Sequence, residues 1–432
     1  MHPKKTTLWD SVSLNVINTD KFKTAMIFFS LRTPKDRSLS ADRLLLPGIL
    51  RRGTLEYPSA ARLNLALDEI YASTVEIKLS HLGKNELLTF SAEMLDNSFV
   101  TDGTDILDGV VRIISDMILH PITDKDCFPA DTVKKERASV LDSLKSEINN
   151  PKTYAAARCA ELLHEGDPEF SSIKELIGEV ERSDGASTYR VYKSILDNAA
   201  LDIYYVGASE GESVARPIHK YFSEFKPNAA PAVPVRAERF THLKEITEPF
   251  PVSQSKLSLG FRVGICSRDK NYYAAILFNE IFGGSPASKL FMNVRERLSL
   301  CYYCSSHYDS YFGNMTVSSG VDRANAELAK REILAQLEDM KAGKISDVEF
   351  SAAKLAFEHY CRQTYDYPCD IFTFYRSRGV LGIETTLEEH LSNIAAVTLD
   401  EVIEVARSVT LDTVYLLEGT LSGEDDEEEY DE

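Results

Sequence analysis

The apolar positions of this chain fall into two copies of one pattern, 230 residues apart. Phe28-Phe29-Ser30-Leu31-Arg32-Thr33 lies over Ser258-Leu259-Gly260-Phe261-Arg262-Val263. The same shift puts residues 44–53 over 274–283, and Ile70-Tyr71-Ala72 over Leu300-Cys301-Tyr302. Each copy reads as an alternating strand, a polar turn, an apolar helix closed by Gly, a second helix and another strand.

Around this duplicated block the periodicity predicts further elements. In the first half, strands are expected near residues 14–16, 24–31, 73–79 and 87–92, then helices near 105–119 and 133–148 and a closing strand at 201–206. In the second half, strands near 255–263, 301–306 and 314–321 precede helices near 325–342 and 347–365, and 411–417 closes the half. Asn150-Pro151 and Tyr367-Pro368 stand at corresponding points. Strands followed by helices, twice, predict an α+β protein of two tandem homologous domains. Each is expected to carry helices on one face of a mostly antiparallel sheet, an α/β roll. Three prolines among small residues in 225–240 read as an extended linker, because Pro fixes φ and removes a donor. The expected organisation is a domain over 1–226, a linker over 227–240, a domain over 241–422 and an acidic, disordered tail over 423–432.

Composition narrows the class. With 432 residues, 44% hydrophobic and 27% charged, the chain has the make-up of a soluble globular protein. No apolar run is long enough to span a bilayer, and Met1-His2-Pro3-Lys4-Lys5 is not followed by the apolar stretch of a secretory signal. Seven scattered Cys suit reduced thiols, so a cytoplasmic location is expected. Eight acids in the last ten residues leave −11 of the formal −19 for the body, which has no basic stripe; nucleic acid is not an expected ligand. No two of the nine His lie four apart, Cys301-x-x-Cys304 has no second pair, and Glu358-His359 and His164-Glu165 read as surface or helix-face residues. No metal site is assigned.

The duplicated layout, with GGSPASKLFMNVRERLSLCYY opening the second half, resembles the insulinase-like metallopeptidases, the group of pitrilysin and the mitochondrial processing peptidases. The resemblance covers the chain except its acidic tail, and implies a fold forming half of a clam-shell chamber. Active members carry His-x-x-Glu-His before a Gly-Thr: the two His and a distant Glu bind zinc, and the first Glu takes a proton from zinc-bound water. Anchored on Gly53-Thr54, the His positions fall on Leu44 and Gly48 and the base on Pro47. None of these side chains can ligate zinc or act as a base, and an interior Pro is expected to kink or end the helix opening near Ser40. The helix around Glu136-Arg137 resembles the stretch bearing the third ligand, which falls on Ser143, 95 positions beyond Gly48, while the supporting Glu remains as Glu136.

The second half keeps more. Active members supply from it an Arg and, seven residues later, a Tyr that reach over the substrate; the matching residues are Arg295 and Tyr302. Arg offers a planar fork of donors, and a Tyr hydroxyl can donate to a developing oxyanion. Without the family context, the pair would read as a solvated Arg and a half-buried Tyr. LLLPGILRRGT, ALDEIYAS and SKLFMNVRERLSLCYY followed by VSSG resemble a zinc-less bacterial branch, named for association with the 5-aminopentanol modification of elongation factor P. The resemblance implies a non-catalytic subunit, inactive alone, paired with a zinc-bearing relative and gripping a peptide or unfolded polypeptide over that partner's zinc. The alternative is a scaffold that binds a polypeptide without hydrolysing it.

Overall fold

The computed structural model describes residues 2–237, 240 and 242–421, so the acidic tail expected over 423–432 lies outside the described residues. Strands β1 (Lys4–Trp9), β2 (Val12–Asn18), β3 (Thr24–Pro34), β4 (Thr74–Leu82), β5 (Asn85–Leu95) and β6 (Ala200–Gly207) form one sheet, ordered β1-β2-β6-β3-β5-β4. Strands β7 (Lys244–Phe250), β8 (Ser255–Arg262), β9 (Cys301–Asp309), β10 (Asn314–Val321) and β11 (Thr410–Gly419) form another, ordered β7-β11-β8-β10-β9. Pairing is antiparallel except where β2 meets β6 and β7 meets β11. β1 and β7 have no counterpart in the sequence reading. In β1 the polar run Lys4-Lys5-Thr6-Thr7 gives no alternating apolar signal, as suits an exposed edge strand.

Strand register makes the repeat concrete. Arg32 of β3 faces Ala200 and Phe29 faces Ile203; in the second sheet Arg262 of β8 faces Thr410 and Leu259 faces Val414. Between them β11 takes in one extra residue, Asp412, where β6 has none. Both sheets retain an ion pair there: Arg32 Nε to Asp202 Oδ2 at 3.4 Å, and Arg262 Nε to Asp412 Oδ2 at 2.9 Å.

The helices follow amphipathic periods, and several begin at a side-chain cap, among them Ser59, Asp105, Asn150, Asp184 and Thr398. The first half carries α1 (Ser40–Arg51), α2 (Ala60–Asp68), α3 (Ile106–Leu119), α4 (Ala130–Asn149), α5 (Pro151–Leu163), α6 (Ile173–Arg182), α7 (Gly185–Asn198) and α8 (Gly211–Phe222). The second carries α9 (Tyr272–Asn279), α10 (Ala326–Lys341), α11 (Asp347–Gln363), α12 (Pro368–Val380), α13 (Leu387–Ala396) and α14 (Leu399–Ser408). Most cover one face of a sheet. In the second sheet, Leu257, Leu259 and Phe261 of β8 join α9, α10 and α14 in one core. Each such fully buried side chain contributes about 1.5–3 kcal/mol.

One helix per sheet departs from this layering. Ile371, Phe372 and Tyr375 of α12 pack on Ile17, Phe28 and Tyr204 on the opposite face of the first sheet, with Phe28 and Phe372 stacked at 3.7 Å. Tyr154, Ala155 and Cys159 of α5 pack likewise on Tyr415 and Leu417 of β11. Gly260 lets α5 approach, since a Cβ there would meet the Leu163 side chain at 2.8 Å. The two compact units are therefore composite. Among the described residues, one holds those within Met1–Ser143, Lys174–Pro234 and Gln363–Thr386, and the other those within Leu144–Ile173, Val235–Arg362 and Leu387–Glu432. The units divide within the Pro-rich stretch, but each also takes a helical segment from the other half of the chain. The stretch is pinned at Val233, whose N–H and C=O both bond the fully buried Asn85 side chain at 2.8 Å.

Candidate functional site

Leu44, Pro47 and Gly48 lie on α1, half-buried. Of the two effects expected of Pro47, a kink or an end, the second does not occur: α1 runs on to Arg51. The lost Pro N–H bond is offset by burial of Leu45, Leu46, Ile49 and Leu50 around it. Gly48 has a definite spatial role: a Cβ built on it would overlap the carboxylate of Glu136 from α4. Glu136 thus fills the space in which a residue-48 side chain would begin, and Arg52, just past α1, pairs with its Oε1 through Nε and Nη2. Ser143 is exposed, seven residues farther along α4 than Glu136.

The residues do not fit zinc. Leu44 and Gly48 offer no donor atom, and the one nearby carboxylate is neutralised by a guanidinium. Among the described residues no group of three or more His, Cys, Asp or Glu could hold a metal ion. Arg52 went unread in the sequence, although its position directly after the degenerate motif could have marked it as the counter-charge. Gly53 keeps the turn that follows: at φ 150° a Cβ would strike the Tyr57 carbonyl.

Arg295 belongs to a π-helical turn, Leu290–Arg297, which follows a shorter one at Glu280–Gly284. The shorter turn sits where the sequence pattern implied the Gly-closed end of an ordinary helix. π-Helices are rare and concentrate at functional sites. The Arg295 guanidinium stacks over Phe291 at 4.6 Å, its Nε lies 3.6 Å from Glu296 Oε1, and the side chain is 40% exposed.

Tyr302 sits at a bulge. Val321 of β10 faces Cys301 and Gly320 faces Tyr303, so Tyr302 is the extra residue of β9. It is 60% exposed, and its hydroxyl donates to Asp322 Oδ1 at 3.4 Å, a partner the sequence did not suggest. The bulge also changes the reading of the Cys pair. Without it, positions 301 and 304 would point to opposite faces of a strand; with it, the Cys304 thiol bonds Cys301. That bond, with Ser319 and the Arg295 guanidinium, draws the Cys301 thiol down to about 7, while the same bond and burial hold Cys304 well up. Both thiols are buried, as are Cys159, Cys266 and Cys361.

The segment also exposes Met292 and Leu298. Chemically, Arg295 offers a fork of donors for carbonyl or carboxylate oxygens, and Tyr302 offers one hydroxyl donor. The isolated His-Glu pairs take no part. His164, expected at the surface or on a helix face, is buried at the end of α5, stacked on Phe170 at 4.6 Å and edge-on to Phe312. No helix among the described residues is long and apolar enough to cross a membrane.

Comparison with known proteins agrees with this geometry. The family described as "Peptidase M16 inactive domain" matches residues 186–357. A Bacillus subtilis protein described as a probable inactive metalloprotease, YmfF, is 29% identical over 95% of this chain and 96% of its own length. A conserved protein from Enterococcus faecalis superposes with a TM-score of 0.90 at 27% identity, covering 97% of this chain and 99% of that one. A structure from Pseudomonas fluorescens described as a peptidase M16 inactive domain shares the fold, with a TM-score of 0.80 at 15% identity, covering 98% and 99%. Duplicated α+β units and these full-length likenesses agree: over nearly its whole length the chain is similar to inactive members of the insulinase-like (M16) peptidases.

Proposed function

We propose that this protein is the non-catalytic subunit of a heterodimeric insulinase-like zinc peptidase. In this reading Arg295 and Tyr302 grip a peptide or unfolded polypeptide over the zinc of a metal-bearing relative, in a chamber to which each subunit contributes half. One observation supports the reading: the Glu136–Arg52 pair fills the space beside Gly48, a position matched by resemblance to a zinc ligand, whereas Arg295 and Tyr302 are exposed on a π-helical turn and at a bulge. Such irregular backbone is retained where a side chain must be aimed. A cytoplasmic location and a link to the elongation factor P modification accompany the proposal, the latter on motif resemblance alone.

The test is peptide turnover by this chain mixed with its zinc-bearing relative. Arg295→Ala together with Tyr302→Phe should lower kcat/KM of the mixture about 100-fold, the loss of two charge-assisted or transition-state hydrogen bonds, with assembly unchanged by gel filtration. Unchanged turnover would remove the gripping role. A mixture that assembles but never cleaves would favour the alternative, a polypeptide-binding scaffold, which accords with the inactive-metalloprotease description of the Bacillus relative.

A further inference from the structure

The two sheets handle the end of their borrowed helix differently. In the second, Lys244 of β7 faces Thr413, beside Asp412, and its side chain is buried. Its ammonium bonds the Leu162 carbonyl at the end of α5 and lies 3.5 Å from Glu165 Oε2 and 3.7 Å from Asp412 Oδ1. Lys244 thus supplies the cation that a helix C-terminus and two carboxylates attract.

In the first sheet the register puts Ser13 of β2 where β7 has Lys244: Ser13 faces Asp202, the acid paired with Arg32 as Asp412 is with Arg262. The Ser13 hydroxyl reaches Asp202 Oδ1 at 2.8 Å but is too short to reach the helix end. Gly379 of α12 corresponds to Leu162 of α5, since each carbonyl accepts the N–H of the helix C-cap two residues on. A cavity of about 230 Å³ opens here, lined by Asn15, Asp202, Tyr204, Gly379 and Glu384, with Lys5 and His2 also along its wall. Gly379 is required there, because a Cβ would meet the Tyr204 hydroxyl at 2.5 Å.

We propose that this cavity binds an aliphatic primary ammonium group, which takes the place that Lys244 fills in the sister unit. The acceptors are Asp202, the Gly379 carbonyl and, at the exposed side, Glu384. Tyr204 and Tyr375 supply apolar wall for the alkyl stem. The ammonium comes from a lysine side chain of a bound polypeptide or from a free alkylamine. The proposal is independent of Arg295 and Tyr302 and stands or falls without them.

The experiment is calorimetric titration of the full chain with n-pentylamine, with the tripeptide acetyl-Gly-Lys-Gly-amide and with n-pentanol as the uncharged control. The amine should bind and the alcohol should not. Ser13→Lys, which installs an internal ammonium at the register position of Lys244, and Asp202→Asn should each weaken the amine about ten-fold or more, the effect of losing one charge-assisted bond. If Asp202→Asn fails to fold, Ser13→Lys decides. Binding of pentylamine alone supports the site and assigns it to free amines; binding of the lysine peptide as well assigns it to side chains. Equal binding of pentanol, no amine binding, or unaltered amine binding by a folded Ser13→Lys protein would overturn the proposal.

Discussion

At position 48 the lack of a Cβ lets the Glu136 carboxylate lie against the backbone of α1, and Arg52 holds it there. The absence of one side chain thus makes room for an ion pair. Elsewhere single residues act on stability. Asp184 caps α7, accepting the N–H groups of Ala186 at 3.0 Å and Ser187 at 2.7 Å, while its own N–H donates to Ser187 Oγ. The Ser187 N–H above all holds the Asp184 carboxyl below the usual carboxylate range. Because the folded-state pKa is the lower one, the cap contributes fully above the unfolded value, about 4, and its contribution is lost as pH falls through the folded value. Asp184→Ala should therefore cost about 1 kcal/mol near neutral pH and clearly less at about pH 3. Urea midpoints at the two pH values check this, and an equal cost at both would contradict the ionised cap.

At the scale of elements, the same kind of helix is seated twice by different means. α5 sits on β8 through the missing side chain of Gly260 and is held at its C-terminus by Lys244 and Arg262, which bond the Leu162 and Leu163 carbonyls. α12 is seated by aromatic stacking, Phe372 on Phe28, and the register position of Lys244 is held there by Ser13. Lys244→Met should destabilise the protein by about 2–3 kcal/mol, since it removes a buried charged donor and leaves Asp412, fully buried, with Arg262 as its remaining close cation. The corresponding Ser13→Met change should cost less, since it removes a hydroxyl bond to the Asp202 carboxylate but no buried charge. Denaturant unfolding of the two variants side by side gives the comparison, and equal losses would remove the asymmetry.

Across the whole molecule the exchange of segments ties the halves of the chain together. Residues 144–173 belong to the unit built mainly from the second half, and 363–386 to the unit built mainly from the first. Cleaving the chain within 227–240 should therefore leave two fragments that co-elute as one species on gel filtration while separating on a denaturing gel. Each would otherwise have to strip a helix from its sheet and expose side chains such as Phe372 and Tyr154. Fragments that part without denaturant would show that the borrowed helices contribute little. Much of this architecture is legible in the chain. The strands at 24–31 and 255–263 announce themselves by alternation over buried positions, and the Arg32–Arg262 match survives as a structural equivalence. The Leu290–Arg297 turn does not, because a π-helix has a period that neither the helical nor the strand template matches. Nor does the bulge at Tyr302, since one extra residue is invisible until a neighbouring strand supplies the register.

By itself the sequence determined most of the elements and the duplication, because periodicity is a local property, and side-chain chemistry alone denies Leu44 and Gly48 a zinc-ligating atom and Pro47 a basic one. Only the tertiary structure decided which sheet α5 and α12 cover, what refilled the space beside Gly48, and that Ser13 stands where the other unit has Lys244. Those outcomes rest on contacts between residues as far apart as Phe28 and Phe372, 344 positions along the chain. Such contacts leave no local period, and the choice among alternative sheet faces is made by packing and by pairing of buried charges.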